Sequence, residues 1–351
     1  MKDRRKFLKS SATIAMGGLF FPKIQDSSFF QNERFMLPSR SGGKPGKLSF
    51  EISLAEFSFA GELMSGKMTN MEFPGRAKNE FGINVLEYVS GFFNNKHTDQ
   101  AYLKELKQRC DDLGMKNHLI MVDGANIADL DAAKRKTAVE SHYAWVDAAK
   151  YLGCDKIRVN LGDTMKAVSG DPDDPAEEAA KAAADGYRQV LEYAAKQNMT
   201  VIVENHFGNS TDIDWLVGVM KAVNMPNAGL LPDFGNFCRQ RSKPTEPGIK
   251  GMMNTKCVKE YDRYEGVKKM MPYAKGISAK THKFDASGNE TETDYFRMFQ
   301  IIKDAGFNGY VGIEYEGGFM NMFNPTAGYI PSVDGIKATK SLLERVQKQL
   351  A

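Results

Sequence analysis

The chain has 351 residues, 42% of them hydrophobic and 26% charged, with a formal net charge of +3. That is enough apolar material for a large core, and the charge is too ordinary for a disordered chain or a coiled coil. The basicity sits at the start, where Lys2, Arg4, Arg5, Lys6, Lys9 and Lys23 stand against Asp3; without them the balance is about −2, which leaves nothing to hold a nucleic-acid backbone.

Asp3 to Lys9 reads Asp-Arg-Arg-Lys-Phe-Leu-Lys and precedes the uncharged segment Ser10–Phe21. Paired arginines before a mild apolar run resemble a twin-arginine export signal, so a periplasmic or exported location is expected. With the linker-like Ser39–Gly46 stretch, residues 1–45 are set aside as signal and linker, and residues 46–351 are read as one domain. No later stretch is long and apolar enough to cross a membrane. The cysteines, Cys110, Cys154, Cys238 and Cys257, show no C-x-x-C spacing, and a Cys238–Cys257 bridge is not expected.

From Lys47 the pattern alternates. Strand-like runs fall at Leu48–Leu54, Ile83–Val89, Met115–Val122, Lys156–Leu161, Thr200 onward, Ala228–Pro232, Lys275–Lys283 and Tyr310–Glu316. Helical segments follow each in turn: Thr69–Phe81, Asp99–Leu113, Asp129–Leu152, a long Ala-rich one from Asp173-Asp174-Pro175 to Gln197, Asp212–Val223, Tyr261–Met271, Asp294–Ala305 and Val333–Leu350. Eight such units predict an α/β protein, a single (β/α)8 TIM barrel. The loop Cys238–Lys259 is too long for a plain connector and reads as a lid or a contact between copies, leaving a homo-oligomer open.

In such a barrel the active site lies at the C-terminal ends of the strands. The fifth strand ends Glu204-Asn205-His206, the sixth Asp233-Phe-Gly-Asn236, and the eighth carries Glu314 and Glu316. On the seventh, Ser278, Lys280 and His282 share a face; the fourth adds Arg158 and Asn160, the second Glu87. Three carboxylates and an imidazole meeting at one mouth would repel unless a divalent cation sat among them, and such oxygen and nitrogen ligands suit Mn²⁺, Mg²⁺, Co²⁺ or Zn²⁺. The competing expectation for Glu204 and Asp233 is a buried ion pair with Arg158 or Lys280. Glu87 reads as structural, and His97, His118 and His142 carry no motif. Aromatics after strand ends, among them Phe57 and Phe92, suit a sugar ring or a core cap equally.

Together the barrel, Glu204-Asn-His206, Asp233-x-Gly-Asn236, the Lys280-containing strand and Ile-Glu314 resemble the xylose isomerase-like superfamily of sugar isomerases and epimerases (the sugar phosphate isomerase/epimerase family). The resemblance implies one divalent metal held by Glu204, Asp233, a seventh-strand residue and Glu314, with His206 and Lys280 facing a small carbohydrate. The family's seventh-strand ligand is a His, in a His-x-Lys-Asp pattern. Here Ser278 stands at that position and Thr281 at the Asp, so His282 is expected as fourth ligand, the alternative being three protein ligands and water.

The expected reaction is proton transfer next to a carbonyl through an enediolate, with Glu204, Glu314 and Lys280 as catalytic groups and His206, Arg158, Asn160 and Asn236 as substrate contacts. A lyase eliminating a β-substituent from a keto-glycoside would use the same intermediate. Phosphodiester cleavage, as in the related endonucleases, calls for more histidines than are well placed here. A sugar-binding barrel that has lost its metal is the non-enzymatic alternative. Export favours free sugars or glycosides over sugar phosphates.

Overall fold

The structure is a computed structural model that describes residues 47–163 and 174–351. The expected signal and linker, together with Asp173 of the predicted helix cap, lie outside the described residues. Eight parallel strands form a nearly closed barrel: β1 (Glu51–Ala55), β2 (Val85–Val89), β3 (Lys116–Met121), β4 (Lys156–Val159), β5 (Thr200–Glu204), β6 (Ala228–Leu231), β9 (Ile277–Thr281) and β10 (Tyr310–Tyr315). Their order is β6-β5-β4-β3-β2-β1-β10-β9. The two outer strands meet through parallel bridges at Leu230–Ala274 and Asp233–Ser278, with the Ser278 N–H donating to the Pro232 carbonyl. That last bridge places Asp233 beside the seventh barrel strand, which is how a residue past the end of β6 enters the site.

Strands buried on both faces need apolar runs, and Val201–Val203, Leu230–Leu231 and Ile277 supply them. Helices cover the outside, and the main core lies between them and the sheet. Five of these helices open on an Asp whose carboxylate accepts backbone N–H groups of the first turn: Asp99, Asp131, Asp212, Asp262 and Asp294. The helix Ala132–Leu152 stops at Gly153, whose φ of 87° a side chain would resist. No helix among the described residues is long and apolar enough to cross a membrane.

A second, smaller apolar layer fills the barrel axis: Ala55, Val89, Leu119, Met121, Ile202 and Leu231, with Phe57 and Phe92 packed on it. Buried polar groups share the interior with this layer: Arg158 on β4, Glu204 on β5, Ser278 and Lys280 on β9 and Glu314 on β10, with Glu87 of β2 and Ser53 of β1.

The long loop departs from expectation. Cys238–Arg241 (β7) and Cys257–Glu260 (β8) pair as an antiparallel hairpin, and Cys238 and Cys257 form a disulfide across it. The expectation of unpaired cysteines is thus corrected: the hairpin holds the two Cα atoms 5.6 Å apart, inside the range a disulfide spans. Cys110 and Cys154 are buried and free.

Candidate functional site

Glu204 ends β5, Asp233 follows β6, and Glu314 lies in β10. Alternation along each strand and the β6–β9 bridge bring them to one place, where each offers an oxygen within 4.8 Å of the other two. All three are buried. Ser278 stands between them, its hydroxyl 2.6 Å from Asp233 Oδ2 and from Glu314 Oε2, donating to one at a time. Burial pushes the Glu204 carboxyl well above its usual range, against the pull of Arg158. Burial likewise pushes Glu314 up to about 7, with Lys280 acting against it and Asp233 and Glu316 adding to it.

The ion pairs weighed against a metal are also present. Lys280, itself buried, places Nζ 2.8 Å from Glu316, 3.5 Å from Asp233 and 3.7 Å from Glu314. Arg158 donates to Asp123 at 2.6 Å. Its Nε lies 2.9 Å from Glu204 Oε2, but the two are not aligned for a hydrogen bond, and both atoms are buried with no partner among the described residues. At the mouth five carboxyl groups, Asp123, Glu204, Asp233, Glu314 and Glu316, face three cationic side chains, Arg158, Lys280 and His282, an excess of acids that goes with the raised Glu204 and Glu314. A carboxylate oxygen buried without a donor, at the centre of that excess, fits a divalent cation held by Glu204, Asp233 and Glu314.

His282 does not join this set. The strand ends at Thr281, and the ring turns to Glu316 through Nε2 at 3.2 Å and to Glu292 through Nδ1 at 3.4 Å. Both nitrogens are engaged there, so His282, expected as fourth ligand, stands apart from the three carboxylates in this structure, and Ser278 occupies the place between them. His206 is half-buried with Nδ1 buried and unpartnered among the described residues, and burial, helped by Arg158, lowers it to about 3. A neutral ring with a free nitrogen is able to accept from, or donate to, a sugar hydroxyl. Asn236 donates to Glu204 Oε1 at 2.9 Å and so orients that carboxylate. Asn160 is tied to Asp123 at 2.9 Å and accepts from Arg158.

Two residues escaped sequence reasoning. Asp123, just past β3, organises Arg158 and Asn160. Its signal was its position directly after a buried strand, the same position that marked Asp233. Asn205 braces the ends of β5 and β6, accepting from the Asp233 N–H and donating to the Asp233 and Asn236 carbonyls. Its side chain points opposite to those of Glu204 and His206, so strand parity hid it. The bland histidines stay bland: His97 stacks on Trp145, and His142 bonds the Ala138 carbonyl of its own helix.

Glu87 is structural, as predicted, and sits deeper in the barrel, bonded to the Ser53 hydroxyl at 2.5 Å. A Cβ at position 312 would come within 2.5 Å of its carboxylate, so Gly312 makes its room. Burial, with Glu314 adding, raises Glu87 from 4.5 to about 7. The folded chain thus holds a proton that the unfolded chain releases near 4.5. The resulting stability is fully present below that pH and is lost as pH rises to about 7, a change of about 3 kcal/mol. Glu87→Gln keeps the shape without the charge. We expect it to match the native chain in urea near pH 4.5 and to exceed it at pH 8; an equal effect at both would refute the buried proton.

The profile of the family described as xylose isomerase-like TIM barrel matches residues 76–339. Among solved structures, an L-ribulose 3-epimerase superposes with a TM-score of 0.62 at 13% identity, covering 86% of this chain and 95% of its own. A D-tagatose 3-epimerase-like protein gives 0.60 at 14% identity, covering 86% and 100%. A xylose isomerase-like TIM barrel protein from Mycobacterium smegmatis, in complex with magnesium, gives 0.58 at 16% identity, covering 86% and 98%. At these identities the likeness concerns the fold. The comparison with curated proteins gave no match.

Proposed function

The chain belongs to the xylose isomerase-like TIM barrel family, and from that premise we propose that it is a divalent-metal-dependent sugar isomerase or epimerase acting on a free sugar or sugar derivative. One observation carries the proposal: three buried carboxylates on neighbouring strand ends, close enough to share an ion, one of them with an oxygen that accepts no hydrogen bond among the described residues and has only the misaligned Arg158 Nε beside it. When bound by Glu204, Asp233 and Glu314, the ion would supply positive charge beside adjacent carbonyl and hydroxyl oxygens and acidify the C–H between them.

The protein's own groups do the rest. Glu204 and Glu314 flank the Asp233–Ser278 pair, and we assign them the removal and return of the proton. Glu314, raised toward neutrality by burial, is suited to donate. Lys280 keeps Glu316 and its neighbours charge-balanced and is the second candidate donor. Return to the opposite face of the same carbon gives epimerisation; return to the adjacent carbon gives isomerisation. His206 would hold a substrate hydroxyl, and Phe57 and Phe92 would offer an apolar face to the ring. The epimerases among the structural neighbours support this reading, and the disulfide is in keeping with twin-arginine export to an oxidising compartment.

The test is deuterium wash-in from D₂O against ketoses, aldoses and keto-glycosides, run beside elemental analysis of the purified protein. Carbon-bound deuterium that requires a divalent ion is the expected result. Exchange that is absent from the whole panel with metal supplied would overturn it, and release of an aglycone would redirect it to the lyase.

A further inference from the structure

We propose a second divalent-cation site, separate from the carboxylates of the mouth, in the loop that follows β9, where His282, Glu290 and Glu292 supply one imidazole nitrogen and two carboxylates. It does not rest on the function proposed above. Each of the three offers a ligand atom within 4.8 Å of the others. Atoms sharing one Zn²⁺ at about 2.1 Å lie at most about 4.2 Å apart, so ion entry requires only a small contraction.

The observation that separates this cluster from an ordinary acidic surface is Glu290. It is 7% exposed, in a loop. One oxygen accepts from the Glu292 and Thr293 N–H groups at 2.6 Å each, while the other, Oε1, is buried with no hydrogen-bond partner among the described residues. Burying a carboxylate oxygen without a donor is unfavourable, because the water it loses is not replaced. A cation bound through that oxygen and shared with His282 and Glu292 would supply the missing partner.

The frame is built without the ion. Glu290 is bridged to Phe284 across an antiparallel pair, and Arg263 holds the other end of the loop by donating to the Glu292 carbonyl and the Thr293 hydroxyl. Solvent reaches the cluster, since the Glu292 side chain is half exposed and Glu290 and Glu292 line a cavity of about 530 Å³.

His282 faces Glu292 through Nδ1 at 3.4 Å and Glu316 through Nε2 at 3.2 Å, so an ion reaches the ring at Nδ1 by displacing the hydrogen held there. Entry is therefore an exchange. The Nδ1 proton leaves to solvent, that nitrogen takes the ion, and Nε2 keeps its hydrogen and its contact with Glu316. A carboxylate behind a ligating imidazole fixes the ring and strengthens the ligand. Glu316 also receives Lys280, so the second ion is tied through one carboxylate to the charges of the mouth.

The full chain is loaded with Zn²⁺, freed of excess by gel filtration and analysed for zinc per chain. We expect two ions in the native protein, one in Glu290→Gln, one in Glu292→Gln, one in Asp233→Asn and none in Asp233→Asn/Glu290→Gln. Zinc content unchanged in both Glu290→Gln and Glu292→Gln would overturn the site. Should Glu290→Gln fail to fold, Glu292→Gln decides, because its side chain is half exposed. An Asp233→Asn variant that keeps the native count while Glu292→Gln loses one ion would uphold this site and remove the metal of the mouth; the converse result would do the opposite.

Discussion

Replacing Glu204 by Gln is expected to lower solvent-proton exchange into substrate at least about a thousandfold while leaving the fold intact, because a positioned base and a charge at the reacting centre are lost together. The carboxylate has four neighbours that define its role. Asn236 orients Oε1, Asp233 and Glu314 compete with it for positive charge, and Arg158 lies 2.9 Å from Oε2 without a hydrogen bond. The amide keeps the volume and the Asn236 contact through its oxygen. It also turns a donor toward Arg158, which retains Asp123 as counter-charge. Circular dichroism and the melting temperature should therefore stay near native values, and the retained zinc should drop by one ion. A variant that melts normally yet exchanges at the native rate would strip Glu204 of its role.

That prediction uses a residue legible in the sequence, and the reason is geometric. In a parallel strand the period of two fixes which side chains share a face, and a carboxylate closing an apolar run has few places to go. Glu204 and Glu314 could be grouped on that logic, and Asp233 by its position after the sixth run. His282 shared the parity of Ser278 and Lys280, but parity gives direction and not distance. Beyond Thr281 the strand pairing stops, and two glutamates capture the ring. Asp123 was passed over although it too follows a buried strand. It precedes Gly124 in a stretch that reads as a turn, and only the Arg158 guanidinium gives it a function. The disulfide depended on a hairpin whose strand residues are mostly exposed and half of them charged, so no hydrophobic pattern announced it.

Lys280 gives the largest expected effect on stability. Its ammonium is buried against Glu316, Asp233 and Glu314, and removing one member of a buried charge cluster costs about 3–5 kcal/mol when the others stay charged. In Lys280→Met those carboxylates escape the cost by taking up protons. Burial already pushes Glu316 upward; Lys280 and His282 together more than offset it, holding the group well below the usual range. Without Lys280 the folded-state values of Glu316 and Glu314 rise, so the stability linked to their protons is retained at low pH and lost as pH rises through them. The deficit relative to the native chain should therefore be small near pH 5 and large at pH 8, read from urea midpoints. Added Mn²⁺ should restore more stability to the variant than to the native protein, since an ion at Glu204, Asp233 and Glu314 would replace part of the missing charge. Equal deficits at both pH values, with no differential response to Mn²⁺, would show that Lys280 does not balance these carboxylates and that the mouth is held together by packing.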